Sequence, residues 1–116
     1  MDIKLAIPTR GDGGMNELIS DVFGRAETFT YVEIQGYEIK KVEVIENPSR
    51  DFKLGAGPLT VKMLADNGIN TVFVTDLGPG VSQLLDEFNI KKVVIEHGTR
   101  VADAIKKVLS HDLPAS

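Results

Sequence analysis

The chain has no cysteine in its 116 residues, and that one absence removes disulfides, thiolate metal ligands and cysteine nucleophiles together. Such a chain suits a reducing compartment, and cytoplasmic residence is expected. No apolar stretch approaches the ~18 residues of a membrane span. Met1 runs straight into the charged, alternating Asp2-Ile3-Lys4-Leu5-Ala6-Ile7, which is not the form of a signal peptide, so no membrane association is expected. Basic residues are scattered and the formal net charge is −4; the electrostatic footprint of a phosphate-backbone binder is missing, and nucleic acid is not an expected partner. Catalytic signatures are missing as well. There is no Gly-Lys-Ser/Thr phosphate loop, no strong setting for a serine nucleophile and no histidine pair at metal-binding spacing. Asp12, Asp51 and Asp76 fall outside the first strand, whose Lys4, Leu5 and Ala6 cannot anchor a two-metal site. These absences point away from an enzyme.

What the chain does have is a series of glycine-bearing turns: Arg10-Gly11-Asp12-Gly13-Gly14, Phe23-Gly24-Arg25, Gly55-Ala56-Gly57-Pro58 and Leu77-Gly78-Pro79-Gly80. Glycine takes positive φ and permits close approach, so turns of this kind can present backbone N–H groups to a ligand. The length fits a single domain over 1–116 with a radius of gyration near ~13 Å.

Between the turns, hydrophobic patterning predicts the elements. Residues 2–8 read as a strand ending at Pro8. Leu18, Ile19, Val22 and Phe23 have the spacing of a short helical face closed by Gly24. Residues 28–35 and 38–46 are rich in β-branched side chains around Gly36-Tyr37 and predict a β-hairpin, followed by a long loop over 49–57. Pro58 opens a helix to about 67, Ile69–Thr75 is a buried strand, and Val81, Leu84, Leu85 and Phe88 mark an amphipathic helix. Lys92–Ile95 gives another buried strand. Val101 to Leu109 gives a last helix that Thr99 is placed to cap. Gly57-Pro58 and Gly78-Pro79 stand 21 positions apart (78 − 57), and Leu64/Leu85, Ile69/Ile90 and Val72/Val93 match at that offset. Two helix–strand units in tandem argue for parallel strands, against the antiparallel hairpin of the front half. The expected architecture is α/β, a mixed sheet with helices on its faces.

Ligands of such sheets bind beyond the carboxyl ends of the parallel strands. The loops after Ile7, Thr75 and Ile95 should therefore meet, bringing Thr9–Gly14, Asp76–Gly80 and Glu96-His97-Gly98 together. Helix N-termini near Pro79 and Thr99 would aim partial positive charge at the same place. Arg10 and Arg25 are fork-shaped donors beside glycine turns, suited to an anion; the competing reading of each is a surface charge paired with Asp12, Asp21 or Glu27. His97 is the one side chain of this edge able to act as a neutral metal ligand, while His111 lies near the chain end.

With these residues in view, the chain resembles the dinitrogenase iron-molybdenum cofactor biosynthesis family. The resemblance runs through Lys4–Pro8, Val22-Phe23-Gly24-Arg25-Ala26-Glu27-Thr28-Phe29, Glu46-Asn47-Pro48, Gly55-Ala56-Gly57 and Gly78-Pro79-Gly80. It implies a ribonuclease H-like fold with a five-stranded mixed sheet and helices on both faces. It also implies binding or carriage of an iron-sulfur or iron-molybdenum cluster precursor during metallocofactor assembly, in company with an assembly protein. Members that handle clusters often carry a histidine just before the Phe-Gly pair, where this chain has Val22. With no thiolate either, the expected mode is hydrogen bonding of an anionic cluster or small anion by Arg10, Gly11, Gly13, Gly14, Phe23, Gly24, Arg25, Gly78 and Gly80, with His97 as a metal ligand. Two alternatives stay open: a module that binds a metalloprotein and no cofactor, and a ribonuclease H-like nuclease.

Overall fold

In a computed structural model, residues 2–110 are described; His111 lies outside them. The order is β1 (Asp2–Thr9), β2 (Thr28–Gln35), β3 (Glu38–Glu46), α1 (Ala56–Asp66), β4 (Thr71–Val74), α2 (Pro79–Glu87), β5 (Lys91–Val94) and α3 (Val101–Ser110). The strands form one open mixed sheet in the order β3-β2-β1-β4-β5. β1, β2 and β3 are antiparallel neighbours, whereas β4 and β5 run parallel to β1. The Cα radius of gyration is 12.8 Å.

Side chains alternate across the sheet and build two cores. Ile3, Leu5 and Ile7 of β1 join Val32, Ile34 and Phe73 beneath Val101, Ala104 and Ile105 of α3. Ala6, Phe29, Val72 and Val74 face the other way, against Val61 and Leu64 of α1 and Leu85 of α2. Helices thus cover both faces, as the patterning implies. Pro8 does not end β1, which pairs on to Thr9. Its missing N–H costs no bond to β4, because that ladder is made at Leu5 and Ala6.

The stretch around Leu18–Phe23 corrects the expectation of a helix. Ile19 is buried in the α3-side core and Phe23 in the opposite one, while Val22 between them is exposed. No helical face serves two cores on opposite sides of a sheet. The chain instead crosses the sheet's edge, pinned by bridges from Ile19 to Thr9 and from Leu18 to Arg100.

The 21-residue repeat holds through the helix ends. Ile69 N donates to Leu64 O as Ile90 N does to Leu85 O, and the left-handed Gly68 is matched by Asn89, at φ 59°. It slips in the strands, where Phe73 pairs with Val93 and Val72 with Lys92. The last strand is not buried as expected: β5 borders the sheet, Val94 is exposed, and Lys92 uses the helical face to reach Asp86 at 2.8 Å and Ser82 Oγ at 2.7 Å.

Candidate functional site

The crossing segment delivers Asp21 to the carboxyl end of the parallel strands, and three predicted loops meet on it. Arg10 Nη2 donates to Asp21 Oδ2 at 3.0 Å. Nδ1 of His97, after β5, lies 2.7 Å from Oδ1, and the Thr75 hydroxyl, after β4, donates to the same oxygen at 3.5 Å. The hydrogen bond from His97 is the main cause holding the Asp21 carboxyl below the usual carboxylate range, with the Arg10 charge adding to it. The three loops were expected to converge, and the pairing of Arg10 with Asp21, one of the acids the sequence offers it, is borne out at 3.0 Å; that the loops after β4 and β5 meet on the same acid was not expected.

The first glycine loop turns away from this point. Gly14 N donates to Thr30 Oγ1 and Gly11 O accepts from Thr28 Oγ1, while Gly13 N donates back to Arg10 O. A Cβ on Gly13 would stand 2.9 Å from Thr28 Oγ1 and Val44 Cγ1, in a backbone with φ 72°. The loop is glycine-rich because it lies flat on the buried cluster of Thr9, Thr28 and Thr30, and the N–H groups of Gly13 and Gly14 are spent there.

On the far side of Asp21 opens a shallow cleft of about 610 Å³, walled by Asp21–Arg25, Lys53–Gly57, Asp76–Gly78 and Val81. Its walls include the N-termini of two helices. Gly55 caps α1 and Gly78 caps α2, neither with a side-chain hydrogen bond. The first helical bonds are Leu59 N to Gly55 O and Ser82 N to Gly78 O, so the N–H groups of Ala56, Gly57, Gly80 and Val81 precede them and, among the described residues, are given to no protein acceptor. The expected partner of α2 was α3. That expectation is corrected: Val101 N donates to Glu17 O and Ala102 N to Met15 O, which closes the N-terminus of α3. Thr99 does not cap it either, since its hydroxyl donates to Glu96 O at 2.7 Å.

Phe23, Gly24, Arg25 and Gly78 of the predicted set line the cleft, and Gly80 sits two residues beyond Gly78, in the first turn of α2. Arg25 Nε donates to Phe52 O at 2.7 Å and Nη2 donates to Lys53 O. The guanidinium thereby fixes the loop before α1 and leaves Nη1 uncommitted among the described residues. Gly24 permits the approach of its turn to that helix, for a Cβ there would lie 2.8 Å from Gly57 N. Asn47 braces the turn by donating to Gly24 O and Ala26 O, both at 2.9 Å. Phe23 is buried and meets Phe29 edge-on, centroids 5.6 Å apart, so its ring supports the floor. Arg10 and His97 stand outside the cleft wall, joined to it through Asp21.

His97 keeps Nε2 for other partners. A carboxylate accepting from one ring N–H, with the lone pair of the other nitrogen left free, is the usual preparation of a metal-binding imidazole. Among the described residues no three His, Asp or Glu side chains group into a metal site, so His97 would be at most a single protein ligand. No helix among the described residues is long and apolar enough to cross a membrane.

Fold and site define a small α/β protein with one elaborated sheet edge, where glycine turns and helix ends surround a shallow cleft. The chain belongs to the family described as dinitrogenase iron-molybdenum cofactor, whose model matches residues 1–111, which associates it with small proteins of metal-cluster biology. It is 32% identical over 111 residues to the uncharacterized protein MJ0580 of Methanocaldococcus jannaschii, covering 96% of this chain and 89% of that one. The crystal structure of PH0822 is similar with a TM-score of 0.80 and 30% identity, over 95% of this chain and 93% of the other. The apo form of the orange protein from Desulfovibrio gigas matches with a TM-score of 0.84 and 25% identity, over 97% and 92%.

Proposed function

We propose that this chain is a non-enzymatic binding protein that holds an anionic iron-sulfur or iron-molybdenum cluster precursor, or a related anion, as cargo during metallocofactor assembly. The observation that carries the reading is the convergence of two uncapped helix N-termini and the Arg25 guanidinium on one cleft. The donor set suits a cluster that brings its own sulfur and is gripped from outside. Iron-sulfur centres fixed by the protein are held chiefly by thiolates and occasionally by histidine, and this chain has no thiolate. In this reading Arg25 and the N–H groups of Ala56, Gly57, Gly80 and Val81 grip the anion. His97 supplies one imidazole nitrogen at the rim, and Arg10 neutralises Asp21 rather than the cargo. The strand order accords with the ribonuclease H-like label. A nuclease role draws no support, because the only carboxylate of β1, Asp2, lies at the end of the strand remote from the cleft.

Anaerobic titration of the purified chain with iron and sulfide tests the reading. Saturable uptake is expected, and Arg25→Ala should weaken it by about tenfold or more, the worth of one charge-assisted hydrogen bond, with the fold intact by circular dichroism. Undiminished uptake in Arg25→Ala would remove the cleft from the account. A second reading, a module that docks on a metalloprotein and binds no cluster, is favoured by the exposed Leu54 and Val22 at the cleft rim. It predicts no saturable uptake and complex formation that survives removal of metal.

A further inference from the structure

Among the described residues, β3 is the one long strand with a free edge. It has nine residues, of which only Ile45 is partly covered, and it borders the sheet, whereas β5 at the other border has four. Ile39, Val42 and Val44 lie opposite Ile34, Val32 and Thr30, which places them on the α3-side face. There they stay exposed, as no helix extends over them. The opposite face of β3 is charged: Lys41 and Glu43 stand opposite Glu33 and Tyr31, and the two ions lie 3.9 Å apart along the strand, both exposed. An edge of this length with an apolar stripe is a template for another strand.

The sequence of β3 selects that strand. In an antiparallel pair of identical strands, a two-fold axis through a residue keeps like faces together, while an axis between residues sets the apolar face against the charged one. An axis at Lys41 opposes two lysines, and an axis at Glu43 opposes two glutamates. An axis at Val42 places Val42 on its own copy and sets each Lys41 against the other chain's Glu43, so both central charge pairs are attractive. A bulge at Lys40, which the pairing with β2 skips, puts Ile39 on the same face as Val42 and Val44, so the face-matched stretch of this register is the one centred on Lys41, Val42 and Glu43. We infer that two copies of this chain associate through their β3 edges in the Val42-centred register, forming a ten-stranded sheet. The inference is independent of what the cleft holds.

Sedimentation velocity from micromolar to millimolar concentration, in low salt, tests it on the full chain. Wild type should show a concentration-dependent dimer. Lys41→Glu and Glu43→Lys should each weaken dimerisation by about tenfold or more, because each converts both central pairs to like charges. Mixing the two variants should restore a dimer, since the Lys41→Glu chain then faces two lysines and the Glu43→Lys chain two glutamates. Both sites are exposed, and circular dichroism confirms folding. A monomer throughout the range, a dimer indifferent to the single changes, or a mixture that stays monomeric would each overturn the inference.

Discussion

Two ends of this molecule use the same physics for opposite purposes. At α3 the first N–H groups meet the carbonyls of Met15 and Glu17, and the incoming loop is tied to the helix. At α1 and α2 the corresponding groups follow glycine caps without side-chain partners and border a cleft. A helix end exposes donors and a partial positive charge in every case. What decides between structure and binding is whether the chain brings its own acceptor. The segment after β1 passes over α3 before crossing the sheet at Asp21, so it serves the α3 end and leaves the other two open. The rule that places ligands beyond the carboxyl ends of parallel strands selects the right edge but is silent on which helix ends the chain itself consumes.

The largest effect on this contrast is expected from Gly24→Ala. Its Cβ would press on the backbone of Ala56 and Gly57 at 2.9 and 2.8 Å, with no flexible side chain to yield, and overpacking of this kind costs ~1–3 kcal/mol. Denaturant titration should show that loss, and proteolysis should cut the 50–55 loop faster as α1 is pushed from the cleft. If Gly24→Ala leaves both unchanged, the close approach of the turn to α1 is not what sets the open end.

Much of the fold was legible because patterning over whole segments reports the core. The hairpin, both parallel strands and all three later helices follow from β-branched runs and from spacings such as Val81, Leu84, Leu85 and Phe88. The segment around Leu18–Phe23 was misread for a definite reason: its apolar residues have helical spacing but are divided between two cores, a division that exists only once the sheet does. The site was legible in part. Glycine marks sharp turns whether they face a ligand or a neighbouring strand, so Gly13 and Gly78 look alike in sequence, although one lies on threonines and the other borders the cleft. Arg25 was singled out for its charge, and its tether to the carbonyls of Phe52 and Lys53 belongs to a loop with no period to read. Asp21 is offered by the sequence only as a partner for an arginine, and its junction with the loops after β1, β4 and β5 is invisible without them.

A smaller effect comes from giving α2 the acceptor that α3 already has. Gly78 is in extended backbone, φ −68° and ψ 156°, with nothing within 4 Å of a Cβ. Gly78→Asp can therefore cap the helix, and a gain of only a few tenths of a kcal/mol over glycine is expected. The same carboxylate would compete with an anionic cargo for the Gly80 and Val81 donors. Thermal melting should rise slightly while iron and sulfide uptake falls; a rise in both would show that the open end of α2 is not a binding element.

The smallest effect, and the most specific, concerns Asp21, where the two regions meet. Its carboxyl is held below its ordinary value, chiefly by the His97 hydrogen bond and further by Arg10. A carboxylate depressed in the folded state stabilises above its unfolded pKa of ~3.9 and loses that contribution as pH falls through the lower folded value. The urea midpoint of wild type should thus exceed that of Asp21→Asn by a small margin at pH 5, where the acid is ionised in both states, and the margin should close as pH drops below ~3.9. Asparagine can still accept from Arg10 but cannot supply the charge, so the margin should also shrink in high salt, because the pair is exposed. A margin that persists unchanged in acid would mean that Asp21 acts through shape alone, and the crossing segment would then be held at the cleft by Ile19 and Phe23 without help from its charge.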